Sequence, residues 1–295
     1  MRYNFLRFPG GKPKALTFSY DDSFRQDIEI AEILAQYGMK CTFNLNGDEV
    51  SKNMKISLKQ EPPLTADEVK KHILGNGHEI AVHGFNHRAM GTLRPIEAIR
   101  EVLDCRLFLE QRYGVIVRGM AQADSGIRHY HPSSDLETVK RCMADVGISY
   151  CRTTYSPLPP PDRAPFALPN DWLCWKPTSH HNNPKLFEWA DEFINIGINP
   201  TMIGCRSHPR LFYIWGHGHE YSDFDLLHKI CQKFADFEDI WFATNIEIYD
   251  YVKAYKDLIY SADGNTVYNP SVITVWFDID GTLYSVKPGE TITIG

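Results

Sequence analysis

No run of basic residues occurs in this chain. The 31 Lys and Arg are outnumbered by 37 Asp and Glu, for a formal net charge of −6. Without clustered Lys and Arg a nucleic-acid backbone has nothing to hold it, which excludes nucleic-acid binding as the main task. No apolar stretch approaches the roughly 20 residues of a membrane span. The opening MRYNFLRFPGGKPK lacks the apolar core and small-residue cleavage site of a secretory leader. The expectation is a soluble, cytoplasmic protein with neither nucleic acid nor membrane as partner; oligomeric state is not legible. Cysteine is sparse and scattered. Cys41, Cys105, Cys142, Cys151, Cys174, Cys205 and Cys231 are odd in number and form no C-x-x-C pair, which argues for free buried thiols rather than a disulfide framework.

What is present is a globular composition, 43% apolar and 23% charged over 295 residues, enough for a substantial core. Apolar strands alternate with amphipathic helices. Strand signals fall at 15–20, 41–45, 80–82, 115–121, 148–154, 171–176, 211–215 and 240–244. Helix signals fall at 27–36 (stopped by Gly38), after the Thr65/Glu68 capping box, from Pro95, from a Ser134 cap, from Pro184, over 226–237 and over 245–258. The proline-rich stretch 155–170 cannot be regular and reads as a loop shaping substrate entry. Seven or so strand-then-helix units without a linker predict an α/β fold, a closed or nearly closed parallel barrel over 1–258. Residues 259–295 change to short alternating strands, a small antiparallel β extension packed on the barrel.

Two strand ends carry the chemistry. The run ALTFSYDDS ends in Asp21 and Asp22, and AVHGFNH delivers His83 and His87. An Asp-Asp pair alone is commonly a turn, and a His-x-x-x-His pair commonly a surface coincidence. Their shared position, just past strands of an alternating chain, points instead to an active site. Carboxylate and imidazole suit a divalent cation, zinc first among them, and three ligands leave positions open for water. One aspartate can then bind metal while the other takes a proton.

These motifs, with Asp171-Trp172 and the strand ending Trp215-Gly216-His217, resemble the motif series of polysaccharide deacetylases over roughly residues 14–255. The resemblance implies a distorted (β/α) barrel and metal-dependent hydrolysis of an N- or O-acetyl group on an acetylated carbohydrate. It also implies that Asp21 is the catalytic base, that Asp22, His83 and His87 hold the metal, and that His217 is the general acid. Three positions depart from the family pattern. Ser23 replaces a glycine, Gly84 replaces Ser or Thr, and the third motif, at residues 121–126, has no arginine. Arg152, on the next strand, is the candidate to pair with Asp21 in its place.

His180 and His181 are candidates for substrate binding or for supporting the site, and Trp172 for a sugar platform, with the core as the plainer place for any single tryptophan. His217-x-His219 with Glu220 admits a second metal, although loop histidines are more often solvated. The run ITVWFDIDGTL imitates a haloacid-dehalogenase-like phosphatase signature but leaves too few residues after it for that domain; Asp280-Gly281 reads as a hairpin turn. Two other functions stay open: a C–N hydrolase of a small non-sugar amide, and a non-catalytic carbohydrate-binding protein on the same scaffold.

Overall fold

The computed structural model describes residues 3–47, 63–124, 126–155, 166–198 and 207–295. Cys205 and most of the proline-rich loop lie outside them. After an N-terminal strand β1 (Asn4–Arg7), the barrel strands are β2 (Lys14–Asp21), β3 (Cys41–Leu45), β4 (Glu79–Val82), β5 (Gly119–Ala121), β6 (Tyr150–Arg152), β7 (Ser179–His180) and β8 (Arg210–His217). They are parallel and run in the order β6-β5-β4-β3-β2-β8-β7. The two ends of that path meet through Trp175, whose backbone bridges Arg152 while Thr178 and His181 bond to β8. A distorted (β/α) barrel of seven parallel strands is thus the observed architecture. The major helices outside it are α1 (Gln26–Gln36), α2 (Pro95–Tyr113), α3 (Leu136–Asp145), α4 (Leu186–Asn195), α5 (Asp225–Ala235) and α6 (Asn245–Lys256). None among the described residues is long and apolar enough to cross a membrane.

β2 sets the geometry of the interior. Its alternation sends Leu16, Phe18 and Tyr20 outward into the core shared with the helices, and Ala15, Thr17, Ser19 and Asp21 inward. The inward residues are small because β8, in register beside them, contributes large ones: Ala15 faces Leu211, Thr17 Tyr213, Ser19 Trp215 and Asp21 His217. Small and large thus fill each layer, and the top layer is polar.

The barrel branches at β2. β9 (Ile240–Phe242) pairs with Lys14–Leu16, while β3 pairs with Phe18–Asp21. A buried polar network fills the fork. Thr17 bonds Asn245, whose N–H donates to Thr42. The Glu79 carboxylate accepts from Thr42 at 2.7 Å, Tyr150 at 2.7 Å and the Ile246 N–H at 2.9 Å. Burial pushes Glu79 up to about 7 from 4.5, against the pull of these donors. Because the folded state holds this proton more tightly than the unfolded chain, the stability it contributes is complete below about pH 4.5 and lost as pH rises through about 7. Glu79→Gln should therefore lose less stability between about pH 5 and pH 8 than the wild type, by roughly 1–3 kcal/mol in urea unfolding. Equal slopes in the two proteins would count against this account.

The antiparallel extension is present as two three-stranded sheets. One comprises β10 (Ile259–Tyr260), β11 (Thr266–Tyr268) and β14 (Thr291–Thr293); the other comprises β12 (Val275–Ile279) and β13 (Thr282–Val286) joined by β1. Sequence patterning gives no sign of β1, because its partner lies at the far end of the chain, Asn4 opposite Ile279. The DIDG run is a hairpin. Asp280 and Gly281 form its turn (φ 49° and 89°), and the Asp278 and Asp280 carboxylates accept the Gly281 and Tyr3 N–H groups.

Two local expectations change. Asp135, not Ser134, caps α3, its carboxylate accepting the Thr138 N–H. Trp172–Cys174 is a 3-10 turn rather than strand, because the Asp171 side chain takes the Leu173 N–H. The six cysteines among the described residues are free and buried, and burial pushes their thiols up.

Candidate active site and metal centre

Asp21 ends β2, and the chain then turns left-handed at Asp22 (φ 78°) and Ser23 (φ 58°). Two successive non-glycine residues there are strained by about 1–3 kcal/mol each. The Asp22 N–H bonds the Asn44 carbonyl, and the Ser23 hydroxyl accepts the Asn46 N–H. These bonds hold the turn with serine where the family pattern has glycine.

His83 and His87 converge on the same carboxylate oxygen. Asp22 Oδ1 lies 3.3 Å from His83 Nε2 and 3.2 Å from His87 Nε2. His83 Nδ1 faces the Ala121 carbonyl at 3.1 Å, which keeps the proton on Nδ1 and the Nε2 lone pair toward the site. Asn46 Nδ2 donates to the His83 and Gly84 carbonyls.

The loop between the two histidines is organised by a residue the sequence reading missed. Glu101, on α2 and buried, accepts from the Asn86 N–H at 2.6 Å, Asn86 Nδ2 at 3.1 Å and the Arg88 N–H at 3.1 Å. Gly84 is required here. Its φ is 84°, and a Cβ would come within 2.9 Å of Glu101 Oε1. The carboxylate thus takes the place of the hydroxyl that Ser or Thr would bring. The available signal was a charged residue on the apolar stripe formed by Ala98, Val102, Cys105 and Leu109.

The donor set fits a divalent cation. Asp22 Oδ1 is buried without a hydrogen-bond partner among the described residues. Its spacing to both imidazoles exceeds the ~2.7–2.9 Å of a charge-assisted hydrogen bond. It matches the separation of about 3.3 Å between ligands that each lie about 2.0–2.1 Å from a tetrahedral zinc. Burial opposes ionisation of Asp22, but His83 and His87 outweigh it and hold the carboxyl well below the usual range. Burial likewise opposes the charge on His87, and Asp22 raises it.

Asp21 has a different environment. Arg152 Nη2 donates to its Oδ2 and Asn44 Nδ2 to its Oδ1, the latter at 2.8 Å. Arg152 is buried, its guanidinium 4.6 Å from the Trp215 ring centroid. His217 completes the group, with Nε2 4.0 Å from Asp21 Oδ2 and 3.9 Å from Asp22 Oδ2. Burial would lower its pKa, yet Glu220 on the Nδ1 side together with Asp21 and Asp22 raises it to about 9.

Glu220 gathers three histidines. Its Oε2 lies 3.3 Å from His217 Nδ1, 3.2 Å from His180 Nε2 and 3.4 Å from His181 Nε2. His181 is buried between Tyr20 and Tyr221, and burial lowers it to about 3, so it is a neutral support that substrate cannot touch. Gly216 makes room for it, since a Cβ there would fall 1.9 Å from His181 Nδ1. Trp172 is not part of the site. It packs edge-on against Trp175 and Tyr249 in an apolar cluster, because the 3-10 turn folds it back onto α6. His219 packs at a tilt against Phe24, with ring centroids 4.3 Å apart.

Carboxylates and imidazoles gathered at the strand ends of a parallel barrel are the equipment of a hydrolase. A family model described as polysaccharide deacetylase matches residues 8–129, the part that contains Asp21, Asp22, His83 and His87. The resemblance carried by the motifs is borne out over that part of the chain, which is similar to the polysaccharide deacetylase family. A Mycobacterium smegmatis structure with a provisional polysaccharide deacetylase name is similar in fold, at 16% identity over 85% of this chain and 94% of that one, with a TM-score of 0.57. A mutant of the peptidoglycan deacetylase PdaC from Bacillus subtilis gives 16%, 85%, 95% and 0.50. The Streptococcus pyogenes deacetylase PplD, solved with acetate, gives 19% identity over 46% of this chain and a TM-score of 0.37, and this chain spans 54% of its length. No curated protein matches the chain in sequence.

Proposed function

We propose that this protein is a metal-dependent hydrolase that removes an acetyl group, N- or O-linked, from a polysaccharide or oligosaccharide. Asp22, His83 and His87 would hold a divalent cation, zinc by the chemistry of the donors. When bound, the cation supplies a Lewis acid that polarises the acetyl carbonyl and makes water acidic. Asp21 takes the proton from the attacking water, its carboxylate held in place by Arg152 and Asn44. His217, charged by its three carboxylate neighbours, protonates the departing amine or alcohol.

The observation that carries this reading is the separation of the two adjacent aspartates. Asp22 turns to the histidine pair and Asp21 to an arginine, so one is equipped as a ligand and the other as a base. The Arg152 contact also speaks against a retired scaffold that only binds carbohydrate, since it supplies the partner absent from residues 121–126. The withdrawal of Trp172 from the site favours keeping a second reading, hydrolysis of a small non-sugar amide. Acetate release from N-acetylglucosamine oligomers and acetylated xylan, beside turnover of small cyclic and linear amides, all with and without chelator, separates the two. Chelator-insensitive turnover would remove the metal from the proposal.

A further inference from the structure

The two imidazoles beside Asp22 are held in place by different means. His83 directly follows β4. Its N–H bonds the Leu45 carbonyl at 2.9 Å, its ring meets the Ala121 carbonyl, and its side chain is 2% exposed. Two neighbouring strand ends thus fix it. His87 stands on a loop, with a side chain 24% exposed and a left-handed backbone (φ 54°), a conformation that persists where the surroundings hold it. What holds it is Glu101. One oxygen, Oε1, accepts the N–H groups of Asn86 and Arg88, the residues on either side of His87, and Oε2 accepts Asn86 Nδ2. The Phe85 N–H bonds the Glu101 backbone carbonyl at 2.9 Å, and Arg88 Nε lies 3.6 Å from Oε2. The Glu101 side chain is 1% exposed, so water does not compete for these bonds.

We propose that Glu101 is a positioning residue for the metal: by clamping the loop on both sides of His87 it makes that histidine the ligand that closes over the cation, and so governs how fast the cation leaves. The inference rests on Asp22, His83 and His87 being the ligands, as the proposed function has them. Asp22 and His83 sit at the ends of β2 and β4, which β3 joins. A cation leaves only after a ligand lets go, and the ligand placed to do so is the exposed one on the loop. Loss of the Glu101 carboxylate frees residues 86–88 and His87 with them, while the bonds that fix Asp22 and His83 remain. The effect therefore falls on release more than on capture, because the two fixed ligands meet an incoming cation either way. Groups that orient metal ligands are worth about 10–100-fold in metal affinity.

The full chain, loaded with one equivalent of zinc, can be mixed with excess chromophoric chelator and zinc release followed by absorbance. Glu101→Gln, which keeps the size of the side chain, should release zinc about 10–100-fold faster than the wild type. Asn86→Ala removes only the Nδ2 bond and should release it about fivefold faster, the worth of one ordinary hydrogen bond. It carries the test if circular dichroism shows Glu101→Gln unfolded. Leu109→Ala empties a buried position two turns further along α2; it should lower the melting temperature and leave the release rate alone, a split that a merely structural role for Glu101 would not give. Wild-type release rates in both Glu101→Gln and Asn86→Ala overturn the role of Glu101 and leave the metal site standing. Release that quickens as much in Leu109→Ala reduces Glu101 to a stabiliser of its helix and likewise overturns the proposal. A wild type that takes up no zinc, or a His83→Ala variant that holds zinc as tightly, overturns the ligand assignment and this proposal with it.

Discussion

Asp21→Asn is expected to lose about 1000-fold in kcat, within the range a positioned general base contributes, while the protein keeps its zinc. The zinc should stay because the proposed ligand atom is Asp22 Oδ1, the carboxylate oxygen nearest both His83 and His87. Asn44 and Arg152 both donate to Asp21, so an asparagine must present its NH2 group to one donor or the other and will also destabilise the fold. The comparison therefore has to be made well below the mutant's melting temperature, with metal content measured on the same sample. Asp22→Asn should do the reverse and lose the metal. More than a tenth of wild-type turnover in a metal-loaded Asp21→Asn protein would remove Asp21 from the role of base.

Arg152→Met should cost about 3–5 kcal/mol of stability, the usual effect of removing one partner from a buried ion pair. The Asp21 carboxylate would be left with Asn44 alone, and Trp215 would lose the guanidinium over its ring. A methionine fills much of the volume, so the loss reports charge and hydrogen bonding more than a cavity. Arg152→Lys should recover only part of it, since an ammonium lacks the planar fork. The double variant Asp21→Asn/Arg152→Met should be more stable than the sum of the single losses by about 1–3 kcal/mol. Additive losses in denaturant melts would show that the two residues do not depend on each other.

Arg152 marks where the reach of the sequence ended. The strand ends, the aspartate pair and the histidine pair were legible because alternation and helix signals are local, and local signals place residues on one face of a barrel. Which cation would hold Asp21 was open, because that depends on the interior layer where β2 and β6 both deliver side chains across the barrel. Glu101 was missed for a similar reason. Its work is done on the loop 86–88, away from its own helix, through hydrogen bonds from Asn86 and Arg88 that no local pattern announces. The strand expected at 171–176 is a 3-10 turn because a pattern of two tryptophans says nothing about an aspartate ready to cap a turn, while the core, the plainer place for a single tryptophan, is where Trp172 lies. The N-terminal strand β1 was invisible because nothing near it in sequence tells of a partner beyond residue 270.

The double allegiance of β2 has a consequence for how the chain is made. Its edges are shared by β3, close behind it, and by β8 and β9, whose strands begin at Arg210 and Ile240. Pairing across such separations is slow to form, since a long loop must close before any contact is gained. On a ribosome, residues 8–129 would emerge with both aspartates and both histidines yet without the strand that flanks Asp21. The recognisable signature is thus a fragment in which β2, β3 and β4 pair with one another, but one wall beside Asp21, with His217 on it, arrives only with the last third of the polypeptide. Until then the exposed edge of β2 is a place where nascent chains can pair with one another, so yield of the intact protein should depend on how quickly synthesis passes residue 242.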